Sequence, residues 1–159
     1  MATKVEIREP YLDAWRAYLN SHAVLIRRIE ETLATAGLPP LSWYDVLWPL
    51  YRAPDRTLRM GELAASVVTI SRSGLTRLVD RIEAAGLLRR QASTTDRRGT
   101  EVMLTREGAA MLRRMWPVYA TAIRRWFVDA LSEEEAAAIR DALSQVHAHA
   151  RRGTTDATR

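Results

Sequence analysis

Along residues 11–36 the apolar positions Leu12, Trp15, Leu19, Val24, Leu25, Ile29 and Leu33 recur mostly at steps of three and four, the period of a helix with one apolar stripe. Gly37 and the Pro39-Pro40 pair end that pattern. Ser42 is predicted to cap a second, short helix carrying Trp43, Val46, Leu47, Leu50 and Tyr51, which stops at Ala53-Pro54. A third helix is predicted over about residues 61–67 and a fourth over about 71–85, a helix-turn-helix pair joined by Val68-Thr69-Ile70. Gly86 stands where a left-handed C-terminal cap is needed. Beyond it Leu87-Leu88-Arg89-Arg90 reads as a short strand, residues 93–99 as a turn, and residues 100–104 as the half-buried return strand of a β-hairpin.

Thr105 is predicted to cap a fifth helix whose stripe runs through Met111, Leu112, Met115, Trp116, Tyr119, Ile123, Trp126 and Phe127. That stripe is longer than so small a domain covers alone, so a partner chain is expected to complete it. Ser132 and Glu135 form the reciprocal S-x-x-E cap of a sixth helix through about His149, and residues 150–159 read as a polar, frayed tail. The order is helix, helix, helix, helix, strand, wing, strand, helix, helix: a mainly α fold on the winged helix-turn-helix plan, in one domain over residues 1–159.

Composition narrows the chemistry. The chain has no cysteine, which excludes disulfides, thiolate metal sites and thiol redox sensing. His147 and His149 are two apart and point to different sides of a helix, so no metal site is expected. No apolar run approaches the ~18 residues of a membrane span, and residues 1–10 lack a signal-peptide core, so the protein is expected in the cytosol. The formal charge is +5, and residues 71–98 concentrate it: seven arginines stand there against three acidic residues. Lys4 is the only lysine, so almost every cation is a planar guanidinium suited to phosphate or guanine.

In the fourth helix Leu75, Leu78, Val79 and Ile82 share one face, which must pack inward. Ser71, Arg72, Ser73, Thr76 and Arg77 crowd its first two turns, where a recognition helix meets base edges, and Gly74 keeps that end slim. At the hairpin tip Asp96-Arg97-Arg98-Gly99 presents two guanidinium groups; Arg98 is expected to enter a minor groove, oriented by Asp96. Asp80 and Glu83 read as surface partners of Arg77 and nearby cations, and Arg81, Arg113, Arg114, Arg124 and Arg125 as solvated charge.

Leu75-Thr76-Arg77-Leu78-Val79-Asp80-Arg81-Ile82-Glu83, then Gly86-Leu87-Leu88-Arg89-Arg90, Asp96-Arg97-Arg98 and Leu104-Thr105-Arg106-Glu107-Gly108, together resemble the MarR family of bacterial winged-helix regulators. The resemblance implies a homodimer built from the first and last two helices, here residues 11–36 and 105–149, around a winged helix-turn-helix at residues 42–104. It implies binding to pseudo-palindromic double-stranded DNA, usually relieved by a small, often aromatic, anion. The joining turn departs from the pattern in lacking the glycine often found there, and the missing cysteines set the chain apart from the peroxide-sensing thiol branch.

Trp15, Trp43, Trp48, Tyr51, Trp116 and Tyr119 are candidates to line such an aromatic or anionic effector pocket, with His22 as a titrating neighbour, although core packing is the default for large aromatics. No cofactor is expected. An enzyme has no motif to rest on, since there is no phosphate-cradling glycine loop, G-x-S-x-G or H-E-x-x-H. A winged-helix protein-interaction module without DNA binding is the alternative, against which Arg72, Arg77 and Arg98 speak.

Overall fold

The helical periods fold as expected in a computed structural model that describes residues 6–67, 70–92 and 99–156, with side chains except those of Arg72 and residues 153–156. The chain forms two compact units, Met1–Thr121 and Ala122–Arg159. In the first, α1 (Glu9–Thr35) and α2 (Leu41–Arg52) precede a strand β1 (Thr57–Arg59), α3 (Met60–Ser66), α4 (Arg72–Ala84), the strands β2 (Leu88–Ala92) and β3 (Thr100–Leu104), and the start of α5 (Arg106–Trp126). The second holds the end of α5, a short 3-10 turn (Val128–Ala130) and α6 (Glu133–Asp156). No helix among the described residues is long and apolar enough to cross a membrane.

The core of the first unit joins Leu33 of α1, Val46, Leu47 and Leu50 of α2, Leu63 of α3, and Leu75, Leu78, Val79 and Ile82 of α4 to Leu88, Val102, Leu112 and Met115, all buried. Only the C-terminal part of α1 takes part. Its N-terminal part leaves Tyr11, Trp15, Tyr18, Leu19 and Val24 exposed.

Two helices end in the same way. Gly37 (φ +65°) and Gly86 (φ +74°) follow α1 and α4 in the left-handed region that a Cβ disfavours. Gly37 N donates to Ala34 O and Leu38 N to Leu33 O, each at 3.0 Å; Gly86 N donates to Glu83 O (2.8 Å) and Leu87 N to Ile82 O (3.1 Å). These paired bonds satisfy the last helical carbonyls and turn the chain sharply.

β1 was not foreseen. It pairs antiparallel with β3 (Leu58 opposite Val102), giving the sheet order β1-β3-β2. Three residues carry no legible period, and β1 exists because β3 offers an unpaired edge. The expected cap at Ser42 is also absent: α2 begins at Leu41, two residues before the Trp43 start that such a cap implies, and Leu41 N donates to the Glu30 carboxylate, eleven positions back in the chain, at 3.1 Å. α6 runs on to Asp156 rather than fraying after His149, its start held by the foreseen box in which Ser132 N donates to Glu135 (2.9 Å) and Glu135 N to Ser132 Oγ (3.2 Å). Donation to the Glu135 carboxylate by Ser132 N and by the Ser132 hydroxyl (3.0 Å) holds that carboxyl below its ordinary pKa.

The wing is rooted at α5. Thr105 Oγ1 donates to Gly86 O (2.7 Å) and accepts from Gly108 N (3.0 Å), capping the helix and tying it to the α4–β2 turn. Gly108 lies so close to that turn that a Cβ would collide with Leu87 O. Gly108→Ala should therefore lower the unfolding free energy by about 1–3 kcal/mol through overpacking, against the ~1 kcal/mol that alanine gains in helix propensity. Urea unfolding monitored by circular dichroism measures this; a midpoint at or above wild type contradicts the contact.

Candidate nucleic-acid interface

The face of α4 that is not buried is set by the face that is. With Leu75, Leu78, Val79 and Ile82 turned inward, Ser73, Thr76 and Arg77 stand exposed along the first two turns. Arg77 is exposed and makes no hydrogen bond or ion pair with any described residue. Ser71 is the N-cap, and its hydroxyl accepts from Gly74 N at 3.2 Å. Its oxygen is thus engaged in starting the helix, with Ser73 Oγ at 3.4 Å. Gly74 has a packing reason to be small: a Cβ there would lie 2.9 Å from Ile70 Cγ2. The side chain of Arg72, the turn residues Val68 and Thr69, and the wing-tip residues Asp96, Arg97 and Arg98 lie outside the described residues.

Of the expectation that Asp80 and Glu83 pair with Arg77 and nearby cations, the direct Asp80–Arg77 pair is corrected. Both carboxylates face the wing, where Arg90 of β2 takes them: its Nη1 lies 2.6 Å from Asp80 Oδ1 and 2.8 Å from Glu83 Oε2. Arg90 N also donates to Glu83 Oε1 (2.6 Å), and Nη2 reaches the Thr76 carbonyl at 3.4 Å. The side chains of Arg90 and Glu83 are 26% and 34% exposed, so their bonds are partly desolvated and charge-assisted, whereas Asp80 stays in contact with solvent. They fix the base of the wing against the middle of α4. A cleft of about 800 Å³ opens beside this clamp, lined among others by Arg59, Glu62, Thr76, Asp80, Arg90 and Thr100.

The predicted aromatic residues separate into groups. Trp48 and Tyr119 line a second cavity of about 330 Å³, together with Tyr44, Asp45, Pro49, Ser66 and Val67. Tyr44 stacks on Trp48 (centroids 5.8 Å apart) and meets Tyr119 edge-on (5.2 Å). Trp116 packs on Tyr44 and Tyr119, and Tyr51 stacks on Trp48, without lining the cavity. Trp15 and His22 belong to the exposed row on α1, linked through Tyr18 at 6.0 and 6.2 Å. Trp43 is half-buried and outside the cavity lining. Sequence reading missed Tyr44 and Asp45, because on an amphipathic helix an acid reads as solvent-facing. The available signal was Pro49, which cannot donate to the carbonyl four residues back, that of Asp45. Among the described residues no three or more metal-ligating side chains come together.

Comparison with known proteins agrees with this geometry. A family model described as MarR family matches residues 36–99. The regulator MhqR of Bacillus subtilis is 32% identical over 115 residues, 72% of this chain and 76% of that protein. The chain belongs to the MarR family. Among solved structures of the family, AbsC of Streptomyces coelicolor superposes with a TM-score of 0.84 at 30% identity, covering 93% of this chain and 99% of that one. Sco3205 of the same organism, solved in complex with DNA, gives 0.83 at 30% identity over 92% and 91%. As a MarR-family winged helix the protein is a DNA-binding transcription regulator, and its relatives are regulators rather than enzymes.

Arg90→Met removes the clamp while keeping an unbranched stem. It should lower the unfolding free energy by about 1–2 kcal/mol and loosen the wing base, weakening DNA binding as well. Chemical denaturation and fluorescence anisotropy on the same variant check both effects; wild-type values in both would remove the clamp from the argument.

Proposed function

We propose that this MarR-family protein is a sequence-specific, effector-responsive repressor that acts in the cytosol as a homodimer on pseudo-palindromic double-stranded DNA. The observation that carries the reading is the outer face of α4, where Arg77 stands exposed and without a partner among the described residues beside Ser73 and Thr76. A guanidinium so placed suits the O6 and N7 of guanine in the major groove. On sequence grounds Arg97 and Arg98 of the wing tip extend the contact into the neighbouring minor groove.

Dimerisation is supported by the exposed row Tyr11, Trp15, Tyr18, Leu19 and Val24 on α1, more large apolar surface than a monomer ordinarily leaves wet. In this reading residues 11–36 and 105–149 form the dimer helices, residues 42–104 form the reading head, and two heads sit about 34 Å apart to meet successive major grooves. An effector then acts by changing that separation, since both heads must engage together.

The test is fluorescence anisotropy on DNA from upstream of the protein's own gene at rising salt. Affinity should fall steeply as neutralised phosphates release counterions. Arg77→Ala should cost about 1–3 kcal/mol and relax preference at particular base pairs, whereas Arg98→Ala should weaken binding across sequences alike. A flat salt response with wild-type affinity in both variants would defeat the reading. Trp15→Glu should shift sedimentation from dimer towards monomer; an unchanged dimer would place the interface elsewhere.

A further inference from the structure

The cavity lined by Tyr44, Asp45, Trp48, Pro49, Ser66 and Tyr119 is rich in acceptors and rings, and among the described residues no cation lines it. At about 330 Å³ it has the size of a small-ligand site. The Asp45 carboxylate has no hydrogen-bond or ion-pair partner among the described residues. Pro49 has no amide N–H to donate to the Asp45 carbonyl four residues back. Ser66 commits its hydroxyl proton to Glu62 O at 2.9 Å.

The surrounding charges deepen the deficit of positive potential. Burial raises the Asp45 carboxyl above its ordinary pKa, and the Glu30 charge adds to the effect. Burial likewise raises the Tyr119 phenol, with Asp45 adding to it, and raises that of Tyr44, where Tyr119 and Asp45 both contribute. In all three the largest cause is burial, and the remainder comes from neighbouring acidic groups. Arg52 lies 5.9 Å from the Trp48 ring centroid but does not line the cavity.

We propose that this pocket selects a small planar aromatic cation with N–H donors, an amidine- or amine-bearing ring, over aromatic carboxylates. The proposal rests on the reading that the protein answers to an effector, and it reverses the anionic half of the expectation drawn from the family resemblance while keeping the aromatic half. Tyr44, Trp48 and Tyr119 form the aromatic part of the cavity wall, and Asp45 supplies the counter-charge. A carboxylate would meet Asp45, two phenols and no lining guanidinium.

Benzamidine and benzoate test this directly, having the same ring and a similar planar head but opposite charge. Calorimetric titration of the full chain should show benzamidine binding at least about tenfold more tightly than benzoate. Asp45→Asn, which keeps the shape and removes the charge, should abolish most of that preference. Ser66→Lys, at an exposed position on the cavity rim, should weaken benzamidine and favour benzoate without touching the core. Equal or tighter binding of benzoate, no binding of either probe, or wild-type preference in both variants would each overturn the proposal. Benzamidine that binds as expected yet leaves affinity for upstream DNA unmoved would retire the effector-responsive reading and leave the ligand class standing.

Discussion

Burial of the Leu75, Leu78, Val79 and Ile82 stripe of α4 is the constraint from which the rest follows. These four side chains lock the helix in rotation against the core, and rotation decides what the opposite face offers. A shift of one residue in phase, about 100° around the axis, would turn Arg77 towards the core and a leucine towards solvent. The polar outer face of α4 is thus specified by hydrophobic packing, with the Ser71 cap fixing where the helix starts and Gly86 fixing where it ends.

The wing is held by a different kind of force. Arg90 gathers Asp80, Glu83 and the Thr76 carbonyl into one cluster, which binds strand β2 to α4 by directional bonds. Apolar contact alone would leave the hairpin free to slide or rock on α4. A guanidinium shared by two carboxylates sets a register as well as an attraction.

What was legible in the sequence was whatever is local. Helical periods, the glycine caps, the Thr105 cap and the Ser132–Glu135 box depend on residues within one turn of each other, and each has its own signal. What escaped notice depends on partners distant in sequence. β1 needs the edge of β3; the start of α2 uses the carboxylate of Glu30; Asp80 and Glu83 wait for an arginine that arrives only after the chain reverses at Gly86. The outer face of α4 was half legible, since Arg77 and Thr76 follow from helix phase, whereas the limit that Ile70 sets on the size of Gly74 appears only in the folded chain. Of the aromatics proposed for a pocket, composition could not separate cavity wall from neighbouring stack, because both use the same residues at the same spacing.

The Thr105 hydroxyl has a mechanical implication. One oxygen bonds at once to the carbonyl that closes the α4–β2 turn and to the amide that opens α5, while Gly108 brings helix and turn into backbone contact. The joint has no slack. Tilting α5 therefore drags the root of the hairpin with it, and the fold behaves there as a rigid bell-crank, converting a small rotation of one helix into a sweep of the arm it carries.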